Sequence, residues 1–166
     1  MFGGFSQSRG PLNDVRAFDT RNNSWKILTV NTKETGNGAG DSVYPAGRYF
    51  HAATFSPFTK RMYVHGGMDL HTHFADFWML DVVKQRWTPL DTYHEKTAET
   101  IDTSDGLLRK REPRAKLSDQ TPKLAGHTMT LNSDSETLVI IGGFSPDGGF
   151  NQHVLEYDLK FSSWQR

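Results

Sequence analysis

The hydrophobic residues of this chain occur in short runs, and polar segments rich in glycine, asparagine, aspartate and serine separate them. Leu138–Ile141 is one such run; the turn-rich SPDGGFN follows, and a second run covers Val154–Tyr157. Short apolar runs bounded by turn residues are typical of β-strands. No segment longer than ten residues keeps a helical period without a turn residue. The pattern therefore predicts an all-β fold.

The same order of landmarks occurs three times along the chain. A double glycine comes first, an aspartate follows, and a tryptophan stands six residues after that aspartate. The second glycine and the tryptophan are 21, 20 and 21 residues apart, and a histidine twice precedes the first glycine by 15 residues. The landmarks are Gly3, Gly4 and Trp25; His51, Gly66, Gly67 and Trp87; and His127, Gly142, Gly143 and Trp164. Such register predicts a repeat protein.

Three repeats account for about eleven predicted strands, arranged as three, four and four. Residues 1–30 form a repeat without its first strand, because no apolar run precedes Phe2-Gly3-Gly4. Residues 44–90 and 122–166 form complete repeats. The strands predicted for the second repeat are Tyr49–Phe55, Arg61–His65, Phe77–Asp81 and Arg86–Leu90.

Two polar segments interrupt the repeats. Residues 31–43 are rich in glycine and predict a loop, and residues 91–121 are charged and contain few large apolar side chains. Such a composition buries too little surface to offset the entropy of ordering, so we expect 91–121 to be an exposed, flexible insertion.

A double glycine, an aromatic strand and a tryptophan at this spacing, in units of about 50 residues, resemble the kelch repeat. The resemblance implies a β-propeller built from four-stranded blades. The chain begins inside a repeat and carries two complete blades and most of a third, so we expect a fragment that forms part of a ring. The remaining blades then belong to the same parent chain, or chains associate. The tryptophans are expected to fill the wedges between blades, and His51 and His127 to be architectural.

A finer resemblance lies in AGHTMTL, in IIGGFSPDGGFNQHVLEYDL and in PAGRYFHAAT. These stretches are similar to the kelch region of attractin and its relatives with multiple EGF-like domains. That resemblance implies the extracellular propeller of a single-pass cell-surface glycoprotein that acts in receptor regulation and signalling. It also implies no enzyme activity and no cofactor, and a protein ligand or co-receptor as partner.

Composition bears on which kinds of partner and site the chain can have. The 19 basic and 19 acidic residues give a formal net charge of zero, which does not favour nucleic acid as a partner. No cysteine is present, which excludes disulfides, thiolate metal sites and the cross-linked cysteine of kelch-type copper oxidases within these residues. No apolar stretch is long enough to cross a bilayer, so the propeller itself is not expected to be membrane-inserted.

Candidate sites lie in the turns. Asp69, His71 and His73, beside His65, are possible Zn or Cu ligands, but a polar loop on one face of the propeller is the favoured interpretation, and no metal site is predicted. No Ser/His/Asp set suitable for catalysis stands out. The loop residues expected to bind a partner are Met68, His71, His73, Phe74, Phe144 and Phe150. Asn22-Asn23-Ser24 is a sequon for N-glycosylation at Asn22.

Two alternatives stay open. An intracellular kelch adaptor, such as a substrate receptor of a ubiquitin ligase, has the same fold in the cytoplasm. A metalloenzyme built on the His65–His73 cluster is the more distant alternative.

Overall fold

The computed structural model describes residues 1–28, 44–90, 121–132, 134 and 136–165. The predicted loop at 31–43 and the predicted insertion, apart from Thr121, lie outside the described residues. In the described part of the chain every regular element is a strand, and the strands form three antiparallel sheets. The prediction of an all-β fold is therefore confirmed.

Each sheet corresponds to one repeat. Sheet 1 contains β1 (Phe2–Ser6), β2 (Gly10–Asp19) and β3 (Ser24–Leu28). Sheet 2 contains β4 (Ala52–Ser56), β5 (Arg61–His65), β6 (Phe77–Asp81) and β7 (Arg86–Pro89). Sheet 3 contains β8 (Ala125–Asn132), β9 (Thr137–Ser145), β10 (Gly149–Phe150), β11 (Val154–Asp158) and β12 (Ser163–Gln165).

The number of strands differs from the prediction by one. The described residues form twelve strands instead of about eleven, because the predicted turn SPDGGFN contains the two-residue strand β10. Strand β9 continues through its double glycine to Ser145, and β10 folds back so that Phe150 pairs with Phe144. Gly149, with a φ of 73°, permits this reversal.

Strand boundaries differ in two further places. Strand β2 begins at Gly10, five residues before the apolar run that starts at Val15, because Gly10–Leu12 pairs with Gly4–Ser6 of β1. Strand β4 begins at Ala52 instead of Tyr49, since Tyr49 pairs with Met68 outside the sheet.

The hydrophobic core lies in two wedges between neighbouring sheets. We call the face of each sheet that carries its tryptophan the front flank and the opposite face the back flank. Trp87 is 4% exposed, and its ring meets Phe2 on the back flank of sheet 1 at 5.1 Å. Trp164 meets Phe77 on the back flank of sheet 2. Burial of each large ring contributes roughly 2–3 kcal/mol from apolar area alone.

Trp25 does not follow the prediction that each tryptophan fills a wedge. Its side chain is 56% exposed and lies on the front flank of sheet 1 beside Phe18. The reason is topological: among the described residues, no sheet packs against the front flank of sheet 1.

The wedge between sheets 1 and 2 is open to solvent at its edge. An open cleft of about 340 Å³ enters it, lined by Val15, Ala17, Leu28 and Met62 among others. Ala17 occupies the repeat position of Met79, which packs against the core of the second wedge. The shorter side chain therefore helps to leave the cleft open.

Candidate binding face

The loops after the double glycines lie at one end of the three sheets. They connect β1 with β2, β5 with β6, and β9 with β11, and an apolar residue stands directly after each glycine pair. These residues are Phe5, Met68 and Phe144. Because the sheets are neighbours, the three loops place side chains from all three repeats on a common face.

Residues on this face are linked by ring contacts and backbone pairings into a continuous row, which we call the aromatic ridge. Phe5 of sheet 1 contacts Tyr49 with ring centroids 5.2 Å apart. The backbone of Tyr49 pairs with Met68, through two N–H to carbonyl hydrogen bonds of 2.9 Å. Met68 in turn pairs with His73.

The ridge continues onto sheet 3. The ring of His73 lies 6.3 Å from that of Phe144, and Phe144 lies 5.6 Å from Phe150. Phe150 is 80% exposed. Phe50, also exposed, stands beside Tyr49 with ring centroids 5.1 Å apart. The members of the ridge are Phe5, Tyr49, Phe50, Met68, His73, Phe144 and Phe150.

A buried arginine fixes the central loop of the ridge. Arg48 has no exposed surface, and its guanidinium donates to both carboxylate oxygens of Asp76, at 2.5 and 2.7 Å, and to the carbonyl of Gly66. The guanidinium also lies 4.2 Å from the ring centre of Phe74. A bidentate pair of this kind holds both partners in one geometry. Arg48 therefore anchors the beginning and the end of the loop that carries Met68 and His73.

Phe74 takes a different position from the other predicted contact residues. Its side chain is half-buried against Arg48, so it packs on the inner side of the loop and does not face a partner. His71 is exposed at the tip of the same loop. The structure therefore brings four of the six predicted contacts, Met68, His73, Phe144 and Phe150, into the ridge.

The candidate metal ligands do not form a cluster. Asp69 Oδ1 accepts hydrogen bonds from the backbone N–H groups of His71, at 2.8 Å, and Thr72, at 2.6 Å. The bond from His71 is the main reason that the pKa of the Asp69 carboxyl lies below its usual value. Among the described residues, no three His, Asp or Glu side chains are placed to hold a metal ion. Asp69 acts here as a turn residue.

His65 lies in a different environment from His71 and His73. It is fully buried between sheets 2 and 3, and its Nδ1 lies 2.9 Å from Nε2 of His127. Burial, followed by the nearby His127, lowers the pKa of His65 well below its usual value. Burial also lowers the pKa of His51 and of His127 to about 4. These three histidines are neutral packing groups at neutral pH.

The sequon lies at the other end of sheet 1. Asn22 is exposed in the turn between β2 and β3, and its side-chain oxygen accepts hydrogen bonds from the backbone N–H and the hydroxyl of Ser24. A glycan on Asn22 is therefore directed away from the aromatic ridge.

Three ridge residues were missed by the sequence reasoning: Phe5, Tyr49 and Phe50. The signal for Phe5 was present, because Phe5, Met68 and Phe144 occupy the same repeat position directly after a double glycine. No comparable signal marked Tyr49 and Phe50, because they reach the ridge through a backbone pairing outside the sheets and through a positive φ of 56° at Phe50.

Comparison with known proteins agrees with this architecture. A family model described as the attractin/LZTR1 beta-propeller matches residues 1–166. The chain belongs to this propeller family. The expected kelch-type propeller of the attractin group is thereby confirmed, and each of the three sheets is a blade.

Relatives of this propeller are found among proteins with EGF-like domains. The human multiple epidermal growth factor-like domains protein 8 is 29% identical over 165 residues, which cover 99% of the chain. The rat protein of the same name is 29% identical over 160 residues, 96% of the chain, and the mouse protein 28% over 165 residues, 99% of the chain.

The propeller chain spans only 5% of the length of each of these relatives. The relatives therefore contain much more than the part that corresponds to this chain. Within its described residues, no helix has the length and apolar character needed to span a membrane.

Proposed function

We propose that the chain is a non-catalytic interaction segment of an attractin-like cell-surface protein, and that it binds a protein ligand or co-receptor through the aromatic ridge. The observation that carries this proposal is the ridge itself. Residues from all three blades form one row on the loop face, and the exposed members of this row are Phe5, Phe50, Phe144 and Phe150. Loops held by a rigid scaffold commonly carry binding residues.

The chemistry of the ridge suits a protein partner. Aromatic residues and methionine are enriched in the cores of protein interfaces, and a few of them usually contribute most of the binding free energy. The bidentate Arg48–Asp76 pair and the turn at Asp69 hold the central loop in place, so little ordering entropy opposes binding.

The chain offers a matched pair of phenylalanines for a test. Phe150 in the ridge is 80% exposed, and Phe58 in the β4–β5 turn, at the opposite end of sheet 2, is 82% exposed. Substitution of either residue by serine removes the same exposed ring. Only the loss of Phe150 is expected to weaken binding at the ridge.

The probe is an array of recombinant receptor ectodomains, exposed to the multimerised chain. We expect at least one ectodomain to bind, and Phe150→Ser or Phe5→Ser to weaken that binding by roughly tenfold or more. Phe58→Ser is expected to leave it unchanged. An array without any binder, or equal losses for Phe58→Ser and Phe150→Ser, counts against the ridge.

An extracellular location is the second part of the proposal, and Asn22 provides its test. The sequon is exposed and lies in a turn, as a glycosylation site requires. In protein isolated from the cells that make it, we expect an N-glycan on Asn22 that a peptide N-glycosidase removes. Asn22 found entirely unmodified favours the intracellular adaptor instead.

A further inference from the structure

Two buried histidines lie where the aromatic ridge crosses from sheet 2 to sheet 3. His65 ends β5, and only the double glycine separates it from Met68 of the ridge. His127 lies in β8 beside Gly126, whose backbone N–H donates to the carbonyl of the ridge residue Phe50 at 2.8 Å. The two rings, which we call the histidine pair, therefore meet at the base of the ridge.

Two backbone hydrogen bonds beside the histidine pair join the sheets. One is the bond from Gly126, and in the other the N–H of Gly67 donates to the carbonyl of Leu124 at 2.8 Å. Separation of the sheets at the pair breaks both bonds. It also parts His73 from Phe144, the ring contact through which the ridge continues onto sheet 3. Whether the ridge is continuous thus depends on the pair.

The surroundings of the histidine pair disfavour a positive charge. His65 has no exposed surface, His127 is 6% exposed, and Nδ1 of His65 lies 2.9 Å from Nε2 of His127. The two outer nitrogens are buried and have no hydrogen-bond partner among the described residues. A single proton between the rings is enough for the neutral pair. A second makes a buried cation without a counter-charge, which is costly.

The charged and titratable groups around the pair do not offset such a cation. Arg48 repels a proton on His65, and His51 repels one on His127. The carboxylate of Asp76 is already bound by Arg48 and by the indole N–H of a tryptophan. Tyr157, which packs against the same wedge, carries no charge in acid. Within the described part of the chain, neither ring of the pair forms an ion pair with a carboxylate.

The wedge between sheets 1 and 2 has a different pair at the same place. His51 holds the position of His127, and Phe2, directly before its double glycine, holds the position of His65. The rings of Phe2 and His51 meet edge to face, with centroids 5.3 Å apart. A phenylalanine is thus accepted beside the histidine. On opening, this wedge exposes one histidine, and the wedge between sheets 2 and 3 exposes two.

We propose that His65 and His127 form an acid-sensitive latch, which holds the two parts of the ridge together at neutral pH and lets sheets 2 and 3 separate locally in acid. Separation exposes both rings to water, where an imidazole binds a proton below its ordinary pKa of 6.5. From pH 7 to pH 5 the opening equilibrium is favoured by roughly 25-fold for one exposed histidine and roughly 500-fold for two. A ligand that spans both sheets is then released, and this last step rests on the proposed function of the ridge.

Hydrogen exchange of the full-length protein, resolved to single amides, tests the latch. The reporter is the N–H of Gly67, which donates to Leu124 across the wedge with two histidines. The control is the N–H of Gly4, which donates to the carbonyl of Arg48 at the equivalent place in the wedge with one. Protection factors, corrected for the intrinsic pH dependence of exchange, are compared at pH 7 and pH 5. We expect the factor of Gly67 to fall at least tenfold more than that of Gly4.

His65→Phe provides the matched variant, because it gives the wedge between sheets 2 and 3 the pair that the chain already contains between sheets 1 and 2. We expect the factor of Gly67 in this variant to fall no further than that of Gly4. His153→Phe removes an exposed histidine outside both wedges and is expected to behave like the parent protein. The comparison of Gly67 with Gly4 in the parent protein decides the matter even if His65→Phe does not fold.

Equal falls at Gly67 and Gly4 mean that acid loosens the whole fold, and an unchanged factor at Gly67 means that the wedge stays closed; either result overturns the latch. The release step has its own readout, the dissociation of a receptor ectodomain captured from the array. We expect dissociation at least tenfold faster at pH 5 than at pH 7, with the difference lost in His65→Phe. Equal rates at the two pH values overturn the release step. An array without a binder counts against the proposed function, whereas the exchange experiment still decides the latch.

Discussion

At the scale of single residues, the two glycines of each pair have different tasks. A Cβ on Gly66 meets the carbonyl oxygen of Leu124 and, at 3.0 Å, the ring of His127, both from the next blade. A Cβ on Gly67 meets His51 of its own blade at 2.7 Å. The missing Cβ of the first glycine thus leaves space for the next blade. The missing Cβ of the second glycine leaves space for the residue that precedes the first strand of its own blade.

Gly142 provides a control for this assignment. Its φ of 71° is close to the 61° of Gly66, and within the described residues nothing lies within 4 Å of a Cβ at this position. We expect Gly142→Ala to lower the free energy of unfolding by about 1–2 kcal/mol, the cost of a left-handed alanine. Gly66→Ala should cost a further 1–3 kcal/mol or so for the overpacked contact. Urea unfolding of both variants measures the difference, and equal losses mean that space at Gly66 is not limiting.

The roles of several single residues could be predicted from the sequence, because the same residue type recurs where each repeat has the same structural requirement. The recurring aspartates before the tryptophans are an example: Asp19, Asp81 and Asp158 each accept backbone N–H groups two or three residues later. The position of Trp25 was not readable, because its exposure depends on a neighbouring sheet and not on its own repeat.

At the scale of elements, the apolar side chains packed in the wedges between blades stabilise the fold. The two wedges have the same plan, but the first contains Ala17 where the second contains Met79, and an apolar cleft of about 340 Å³ enters it. The repeat therefore suggests a stabilising substitution, in which Ala17 is replaced by the methionine of the equivalent position.

We expect Ala17→Met to stabilise the chain by about 0.5–2 kcal/mol, since the longer side chain buries apolar surface in a space already open to it. Thermal unfolding of the variant measures the gain. Ala53→Met is the control, because Ala53 is an exposed strand residue of β4 and should give a change within about 0.5 kcal/mol. A loss of stability for Ala17→Met means that the cleft cannot accept the side chain.

The buried histidines make the wedges sensitive to acid. The pKa of His51 and of His127 falls to about 4 in the folded chain from an ordinary 6.5, mainly through burial. Between these values the unfolded chain binds protons that the folded chain does not bind. The free energy of unfolding must therefore decrease as the pH falls from about 6.5 to 4, by roughly 1.4 kcal/mol per pH unit for each neutral histidine.

Denaturant titrations at pH 7, 6 and 5 check this slope. His127→Gln removes one of the titrating groups and should make the slope shallower, although the variant itself is less stable. The carboxyls whose pKa is lowered contribute only below about pH 4, so they do not obscure the window. These carboxyls are Asp14, Asp19, Asp69 and Asp81. An unchanged slope in His127→Gln contradicts the assignment.

Strand identity followed from the sequence more closely than strand length. Strands β5 and β6 were predicted at their observed bounds, because alternating apolar residues and flanking turns define them locally. Strand β10 and the first half of β2 do not stand out in the sequence, since glycine or proline interrupts both segments and they pair only because a neighbouring strand is present.

At the scale of the whole molecule, the three blades share one loop face. The repeat made the blades and their order predictable. The aromatic ridge was only partly predictable, because it joins residues from three repeats through contacts such as Tyr49 with Phe5 and His73 with Phe144.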